Sequence, residues 1–155
     1  MKIIGENLQP VSVAQPSTAV CPAADGSILL LPGDAELHGT GIRVEAKHGH
    51  DYLAAWDRPE EWTSWGIQAP GKSAYEIDVV CSAAVREVEI RAELAGQELN
   101  DTVKKTTGWY DYQTLHLGKV ALPAAGKFVL KLRAADAAKW KAVNIRSITM
   151  KPVGN

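Results

Sequence analysis

The chain has 155 residues, which is enough for one domain with a sizeable apolar core, so it needs neither a metal nor disulfides to fold. Its 17 Lys and Arg nearly balance 18 Asp and Glu, and the formal net charge of -1 disfavours nucleic acid as a partner. No apolar run approaches the roughly 20 residues that span a bilayer, so no membrane partner is expected.

The N-terminal residues resemble a connector more than a domain. Residues 1–9 contain one Lys and no apolar segment of the kind found in secretion signals, so the chain is either cytoplasmic or part of a longer exported protein. Residues 10–26 contain three prolines among Ser, Ala, Thr and Gly, which predicts an extended segment. We assign residues 1–26 to a lead-in or linker and residues 27–155 to the folded domain.

From Ser27 onward, apolar residues recur at every second position, as in strands with one dry and one wet face. Strands are predicted at residues 28–31, 42–46, 62–67, 75–81, 88–94, 112–117, 128–132 and 144–150. Short strands at this spacing, separated by turn formers such as Pro-Gly and Ala-Gly, predict an all-β sandwich or barrel. The one segment with helical character, residues 134–141, is predicted to be a loop with a helical turn.

Several kinds of chemistry lack their motifs. Neither a Gly-rich phosphate loop nor a strand–helix alternation is present, which excludes nucleotide-binding folds. Cys21 and Cys81 match no zinc spacing and have no context that marks a nucleophile, although a disulfide between them and two free thiols both remain open. Acidic loop residues are usually solvated, and a small sandwich without a deep cleft rarely encloses a substrate. The chain is therefore predicted not to be an enzyme.

Two histidines offer a candidate metal site. His48 and His50 stand at i and i+2, on one side of a strand, as at the start of some β-barrel metal sites. The cupin pattern also requires a Glu four or five positions later and a third His among Gly and Pro. Here the next Glu is Glu60, and the remaining downstream His, His116, lies in a predicted strand. We therefore favour two exposed loop histidines.

The aromatic composition is unusual, with five Trp and four Tyr but one Phe. Trp62 and Trp65 lie in one predicted strand, and at least one of them should point into the core. Trp56 and Trp109 stand where loops begin, and exposed rings held on loops suit stacking against the C–H face of a sugar. The alternative is that these two rings plug the end of the sandwich.

Eight segments form an ordered series: DAELHG at 34–39, IRVE at 42–45, Trp56, EWTSW at 61–65, PGK at 70–72, TGW at 107–109, LPAAG at 122–126 and NIRSI at 144–148. The series resembles carbohydrate-binding modules of families 6 and 35, which are jelly-roll sandwiches of two antiparallel sheets, of the galactose-binding-like kind. Its ending is similar to the variant appended to secreted bacterial alpha-L-fucosidases and to other glycosidases or sulfatases.

The resemblance implies a sugar site in loops at one end of the sandwich. Two aromatic rings clasp the sugar there, and an Asn at the start of the last strand binds a hydroxyl. By position, the rings correspond to Trp56 and Trp109 and the amide to Asn144. Further residues are expected at the rim of the site: Asp57, Glu61, Tyr110 and Asp111.

The same resemblance implies a structural calcium, whose ligands would correspond to Glu36, Glu45 and the residue two places after Asn144. That residue is Arg146, and a guanidinium cannot ligate a cation, so we expect this site to be lost and no cofactor to be bound. Because Arg146 shares strand parity with Ile148, we expect it to be partly buried as the counter-ion of Glu36 or Glu45.

Together these observations predict a non-catalytic carbohydrate-binding module that stacks a sugar on loop tryptophans. Its partners would be an oligo- or polysaccharide and a covalently attached catalytic domain in a larger secreted, cell-surface or periplasmic protein. Two alternatives are kept: a structural accessory sandwich without a ligand and, less favoured, a small enzyme that uses His48 and His50 with a metal.

Overall fold

A computed structural model describes residues 19–153, which form eleven strands and two short 3-10 turns. The strands are β1 (Ile28–Leu30), β2 (Glu36–His38), β3 (Arg43–Lys47), β4 (His50–Ala54), β5 (Trp62–Ala69), β6 (Ser73–Ser82), β7 (Val88–Leu94), β8 (Gln97–Val103), β9 (Gln113–Leu122), β10 (Gly126–Ala134) and β11 (Asn144–Pro152). The turn at Ala137–Lys139 confirms the helical turn predicted in residues 134–141. Among the described residues, no helix has the length and apolar character to cross a membrane.

The strands form two antiparallel sheets, which confirms the predicted all-β sandwich. The five-stranded sheet has the order β2-β5-β10-β7-β8. The six-stranded sheet has the order β3-β4-β11-β6-β9, and β1 pairs with β11 beside this path. Every pairing between named strands is antiparallel.

Alternation along the strands builds one hydrophobic core between the sheets. In β6, Tyr75, Ile77 and Val79 are buried, whereas the intervening Glu76 and Asp78 are partly exposed. The inner faces of β5, β7 and β10 supply the opposite side of the core. Burial of each large aliphatic side chain contributes about 1.5–3 kcal/mol, so the two-residue period is the main source of stability.

All eight predicted strands are present, but three further strands were missed. β2 has only three residues, β4 begins with His-Asp, and β8 is an edge strand whose alternate positions are mostly polar. An edge strand needs fewer apolar side chains because one of its sides faces solvent. Periodicity of hydrophobic residues is therefore weak in these segments.

The predicted lead-in, residues 1–26, lies largely outside the described residues, but its described end contacts the sandwich. The Val20 N–H donates to the carbonyl of Gly66, and the Val20 carbonyl accepts from the N–H of Gln68, both at 2.9 Å. These bonds form an isolated parallel bridge with Ile67. Val20 therefore lies against β5 of the sandwich, and the division at residue 26 stays a prediction.

Both cysteines are free thiols in the structure. Cys21 is exposed, whereas Cys81 is buried on β6 among core residues. Burial raises the pKa of the Cys81 thiol to about 12, because a thiolate there would be poorly solvated. Cys81 is thus a core residue and not a nucleophile.

One junction in the six-stranded sheet opens its surface. β6 occupies one edge of β11 along the whole strand, so β4 and β1 share the other edge. β4 pairs with β11 at Ile145, and β1 pairs with residues 148–150. Arg146 and Ser147 lie between these two pairings, beside a bulge in the register of β6 with β11.

Candidate functional site

The loop between β8 and β9, residues 104–112, carries a group of aromatic side chains at one end of the sandwich. Tyr110 is 39% exposed, and Trp109 and Tyr112 are half-buried. Asp111 accepts a hydrogen bond from the Thr107 hydroxyl at 2.6 Å and another from the Thr107 N–H at 3.3 Å. These bonds hold the pKa of Asp111 below its ordinary value, so Asp111 is a charged group that braces the turn.

The same loop is fastened to the sheet through the carbonyl of Trp109. The Ser82 hydroxyl donates to this carbonyl at 2.6 Å, and the side-chain amide of Asn144 donates to it at 3.3 Å. Ser82 and Asn144 are opposite one another on β6 and β11, and both are buried. Buried donors that meet a loop carbonyl fix its position, so the aromatic side chains next to it have a defined place.

A cluster of tyrosines and histidines lies beside this loop, and Tyr110 and His48 are its exposed members. We call it the tyrosine patch: Tyr52, Tyr110, Tyr112, His48 and His50. Tyr52 and Tyr110 meet edge to face with centroids 5.5 Å apart, and their hydroxyl oxygens are 3.1 Å apart. The Tyr112 hydroxyl is 3.2 Å from Nε2 of His50. His48 lies at the β3–β4 turn, and its ring is roughly perpendicular to that of Tyr110, with centroids 4.6 Å apart.

Hydrogen bonding orients the two central hydroxyls of the patch. Tyr52 is 3% exposed, and its hydroxyl donates to the carboxylate of Glu45 at 3.1 Å. Because that proton is used on Glu45, the Tyr110 hydroxyl must donate to the Tyr52 oxygen. The bond to Tyr110, burial and the bond to Glu45 all raise the pKa of Tyr52 above its ordinary range. The Tyr110 oxygen keeps its lone pairs for another donor.

Cations surround the tyrosine rings. Nζ of Lys47 lies 5.7 Å from the ring centroid of Tyr110, and Cζ of Arg146 lies 5.8 Å from that of Tyr112. Arg43 is nearby in sequence, but its charge is used in a 2.6 Å ion pair with Glu45. That bond and the bond from Tyr52 hold the pKa of Glu45 below its ordinary value.

The gap between β1 and β4 forms a cleft of about 340 Å³, which we call the β1–β4 cleft. It is lined by Leu29, Leu31, Pro32, His50, Asp51, Arg146 and Ser147. His50 and Arg146 thus belong both to this cleft and to the contacts of Tyr112. The cleft and the tyrosine patch are therefore continuous.

The structure contradicts the prediction that Trp56 is an exposed ring. Its side chain is fully buried, and its Nε1–H donates to the backbone carbonyl of Glu61 at 2.8 Å. Its ring packs against Trp140, with centroids 4.8 Å apart. A large ring whose one polar atom is satisfied is more stable buried than in water. Trp56 is a core residue, as the plug alternative held.

Glu61 is likewise inside the protein and not at a rim. Its carboxylate accepts hydrogen bonds from the backbone N–H groups of Thr40, Gly41 and Ile42 at 2.7, 2.8 and 3.1 Å. These bonds, chiefly that of Gly41, hold its pKa below the ordinary value although burial opposes this. Gly39 permits the approach, because a Cβ there would lie 2.4 Å from Cγ of Glu61. Glu61 therefore fastens the β2–β3 loop.

The other predicted site residues divide into two groups. Trp109, Tyr110, Asp111 and Asn144 are brought together by the anchored loop. Asn144 is 6% exposed and spends its amide N–H on the Trp109 carbonyl, so its observed role is to position the loop. Asp57 is exposed.

Arg146 does not lie inside as the counter-ion that parity predicted. The bulge between Ile145 and Ser147 breaks the two-residue period, and Arg146 is exposed over Tyr112. Glu36 and Glu45, its expected partners, lie on different sheets and pair instead with His38 and Arg43.

The histidine pair has protein partners of its own. His50 meets Tyr112 and His48 meets Tyr110, whereas His116 pairs with Asp78 at 2.6 Å on the outer face of β6 and β9. The bond to Asp78 raises the pKa of His116. Within residues 19–153, no three His, Cys, Asp or Glu side chains are grouped as a metal site requires.

The two strand tryptophans confirm the expectation that at least one is a core residue. Trp65 is buried and its Nε1–H donates to the Leu31 carbonyl at 2.8 Å. Trp62 is partly exposed and stacks on His38 with centroids 3.7 Å apart.

The sequence does not identify Tyr52 and Tyr112 as site residues, and it offers His50 only as a candidate metal ligand. The predicted strand 112–117 includes Tyr112, and hydrophobic alternation predicts no strand over residues 50–54. Two signals were available: Tyr110 and Tyr112 share strand parity, and so do His50 and Tyr52.

No protein-family model matches the sequence, and no curated protein is significantly similar to it. Solved structures with the same fold do match. A GH26-CBM35 beta-(1,4)-mannanase of Podospora anserina matches at 20% identity and a TM-score of 0.69, over 84% of this chain and 28% of the mannanase chain. The C-terminal CBM6 of LamC, a laminarinase of the marine Zobellia galactanivorans, matches at 21% and 0.66, over 81% of this chain and 98% of the module.

The fold also occurs in a protein with a different description. The insecticidal crystal protein Cry2Aa matches at 14% identity and a TM-score of 0.70, over 85% of this chain and 22% of the other. At such identities a likeness shows the fold and not the function. The chain therefore has the jelly-roll sandwich fold seen in carbohydrate-binding modules of families 6 and 35, as its sequence predicted.

Proposed function

We propose that the chain is a non-catalytic carbohydrate-binding module and that the tyrosine patch is the surface on which it holds a sugar. The observation that carries this proposal is the Tyr110 ring, exposed on a loop whose Trp109 carbonyl is fixed by two buried donors. An aromatic face in water is unfavourable for stability, and the axial C–H groups of a sugar are a suitable cover for it. The shared fold of families 6 and 35 supports this reading.

The patch also offers polar partners for sugar hydroxyls. The Tyr110 hydroxyl oxygen can accept a bond, and Asp111 carries an ionised carboxylate at the loop tip. Trp109, half-buried beside Tyr110, remains the proposed second ring. An aromatic contact of this kind contributes about 0.5–1.5 kcal/mol, so single-site affinity in the micromolar to millimolar range is expected.

Weak binding becomes useful when the module is tethered to something that acts on the same glycan. We therefore propose that the chain belongs to a larger exported protein with a catalytic domain. The support is the mannanase, in which the matching part is 28% of the chain. The likeness to the variant appended to alpha-L-fucosidases stays a prediction.

The test is a glycan array with the purified chain, followed by titration calorimetry with the best ligand. Tyr110→Ala is expected to weaken binding about fivefold to tenfold, because it removes the exposed ring. The matched control is Trp62→Ala, which removes a partly exposed ring from the other sheet and should leave affinity unchanged. If Trp62→Ala loses binding and Tyr110→Ala does not, the sugar site lies on the five-stranded sheet, and the assignment to the tyrosine patch is wrong.

The absence of any ligand on the glycan array would also decide between the alternatives. If no glycan binds and tryptophan fluorescence does not respond to any sugar, the proposal fails and the structural accessory domain is the better description.

A further inference from the structure

The β1–β4 cleft continues the tyrosine patch into a space of different chemistry. One wall is apolar, because Leu29 and Leu31 line the cleft and are 49% and 43% exposed. Arg146 and Ser147 lie where neither β1 nor β4 pairs with β11, and both residues line the cleft. The Arg146 guanidinium also lies over the Tyr112 ring, so it is next to the tyrosine patch.

Arg146 has free hydrogen-bonding capacity. Among residues 19–153, no carboxylate lies within ion-pair distance of its guanidinium, whose described contact is the ring of Tyr112. A guanidinium presents a planar fork of N–H donors that matches the paired oxygens of a carboxylate or a sulfate. On one face of this fork lies an aromatic ring, which limits how the group can turn.

We propose that the β1–β4 cleft receives a negatively charged substituent of the bound glycan, a carboxylate or a sulfate ester, on Arg146. This inference rests on the proposed function, since the sugar ring that carries the charge would lie on the tyrosine patch. The hydroxyl of Ser147 donates a further bond to the anion, and the leucine wall covers C–H groups of the same sugar. Lys47, over Tyr110, adds positive charge on the patch side.

One acidic side chain in the cleft would weaken the binding of an anion, and this provides a further test. Asp51 is exposed and also lines the cleft, so its charge repels an anion there. Glu45 repels an anion less strongly, because its charge is partly neutralised by the ion pair with Arg43 and by the hydrogen bond from Tyr52. Asp51→Asn is therefore expected to raise affinity for charged glycans by severalfold and to leave affinity for neutral glycans unchanged.

The experiment uses pairs of ligands that differ only in charge. One pair is tetragalacturonate and its methyl ester; the other is a carrageenan tetrasaccharide and its desulfated form. We expect the charged member of at least one pair to bind about tenfold tighter, and the favoured pair distinguishes carboxylate from sulfate. Arg146→Gln should abolish the preference, whereas Arg86→Gln, at an exposed arginine of the β6–β7 loop, should preserve it. The preference should also fall as salt is raised.

The outcomes separate this inference from the proposed function. If the array and both pairs show neutral glycans bound as well as charged ones, or if Arg146→Gln keeps the preference, the cleft is not an anion site but the sugar-binding proposal stands. If no glycan binds at all, both proposals fail.

Discussion

Removing the carboxylate of Glu61 tests whether one buried side chain holds the β2–β3 loop. Glu61→Ala deletes the acceptor of three backbone N–H groups at 2.7, 2.8 and 3.1 Å. A buried donor left without a partner costs about 1–3 kcal/mol, and water entering the vacated space offsets part of this cost. We expect the free energy of unfolding to fall by about 3–5 kcal/mol, a large share of the stability of a domain this size.

The assay is urea denaturation at neutral pH, followed by tryptophan fluorescence. With a slope of about 2 kcal/mol per molar urea, the midpoint should move down by about 1.5–2.5 M. Glu60→Ala is the matched control, since Glu60 is exposed and next in sequence. A midpoint for Glu61→Ala equal to that of Glu60→Ala would refute the reasoning.

The same carboxylate predicts a pH dependence with a definite sign. The backbone bonds lower the pKa of Glu61 below its ordinary value of 4.5, so the folded state favours the charged form. Its stabilisation is fully present above the pKa of the unfolded chain and is lost as pH falls through the lower, folded pKa. The difference in unfolding free energy between the wild type and Glu61→Gln should therefore be constant near neutrality and shrink below about pH 4.5. A difference that grows in acid would contradict the assignment.

Two further predictions follow from the corrected site. Trp56→Ala should lower the free energy of unfolding by about 3–5 kcal/mol in thermal denaturation, because it empties a buried space. Tyr110→Ala should lower it by only about 1 kcal/mol, because that ring is half exposed and loses mainly its contact with Tyr52. Equal effects would mean that one of the two rings is misplaced. Millimolar calcium should leave the melting temperature unchanged. Glu36 and Glu45 lie on different sheets, and each already pairs with a neighbouring side chain. Arg146 stands in the third ligand position, where a guanidinium cannot bind a cation. A rise of several degrees would show that a calcium site persists.

Alternation predicted the core of this fold well and its edges poorly. Buried residues recur at every second position of β6 and β7, because one face of the sheet packs in the core and the other faces solvent. This alternation is visible in the sequence. The failure at Arg146 has a specific cause. A bulge adds a residue to one strand, which turns the following side chain to the other face, and no residue type marks its position.

Only part of the candidate site was predicted, because some of its contacts are local in sequence and others join residues far apart in the chain. Trp109, Tyr110 and Asp111 form one local turn with Thr107, so a short segment identifies them. Tyr52 meets Tyr110 across 58 positions of sequence, and His50 meets Tyr112 across 62. Contacts at this range follow from the strand order, and β4, which carries His50 and Tyr52, is one of the three strands that hydrophobic alternation does not predict.

The structure exposes Tyr110 and buries Trp56, contrary to the prediction for Trp56, and this difference has a physical basis. An indole has a large apolar face and a single N–H, so one carbonyl is enough to satisfy it in the interior, and Glu61 and Leu31 provide such carbonyls for Trp56 and Trp65. A tyrosine hydroxyl both donates and accepts, so Tyr110 can bond to Tyr52 and still offer an oxygen to solvent. Trp56 and Trp65 therefore fit the interior, and Tyr110, the most exposed of the tyrosines in the patch, fits the boundary between core and water because its oxygen keeps lone pairs for solvent or a ligand.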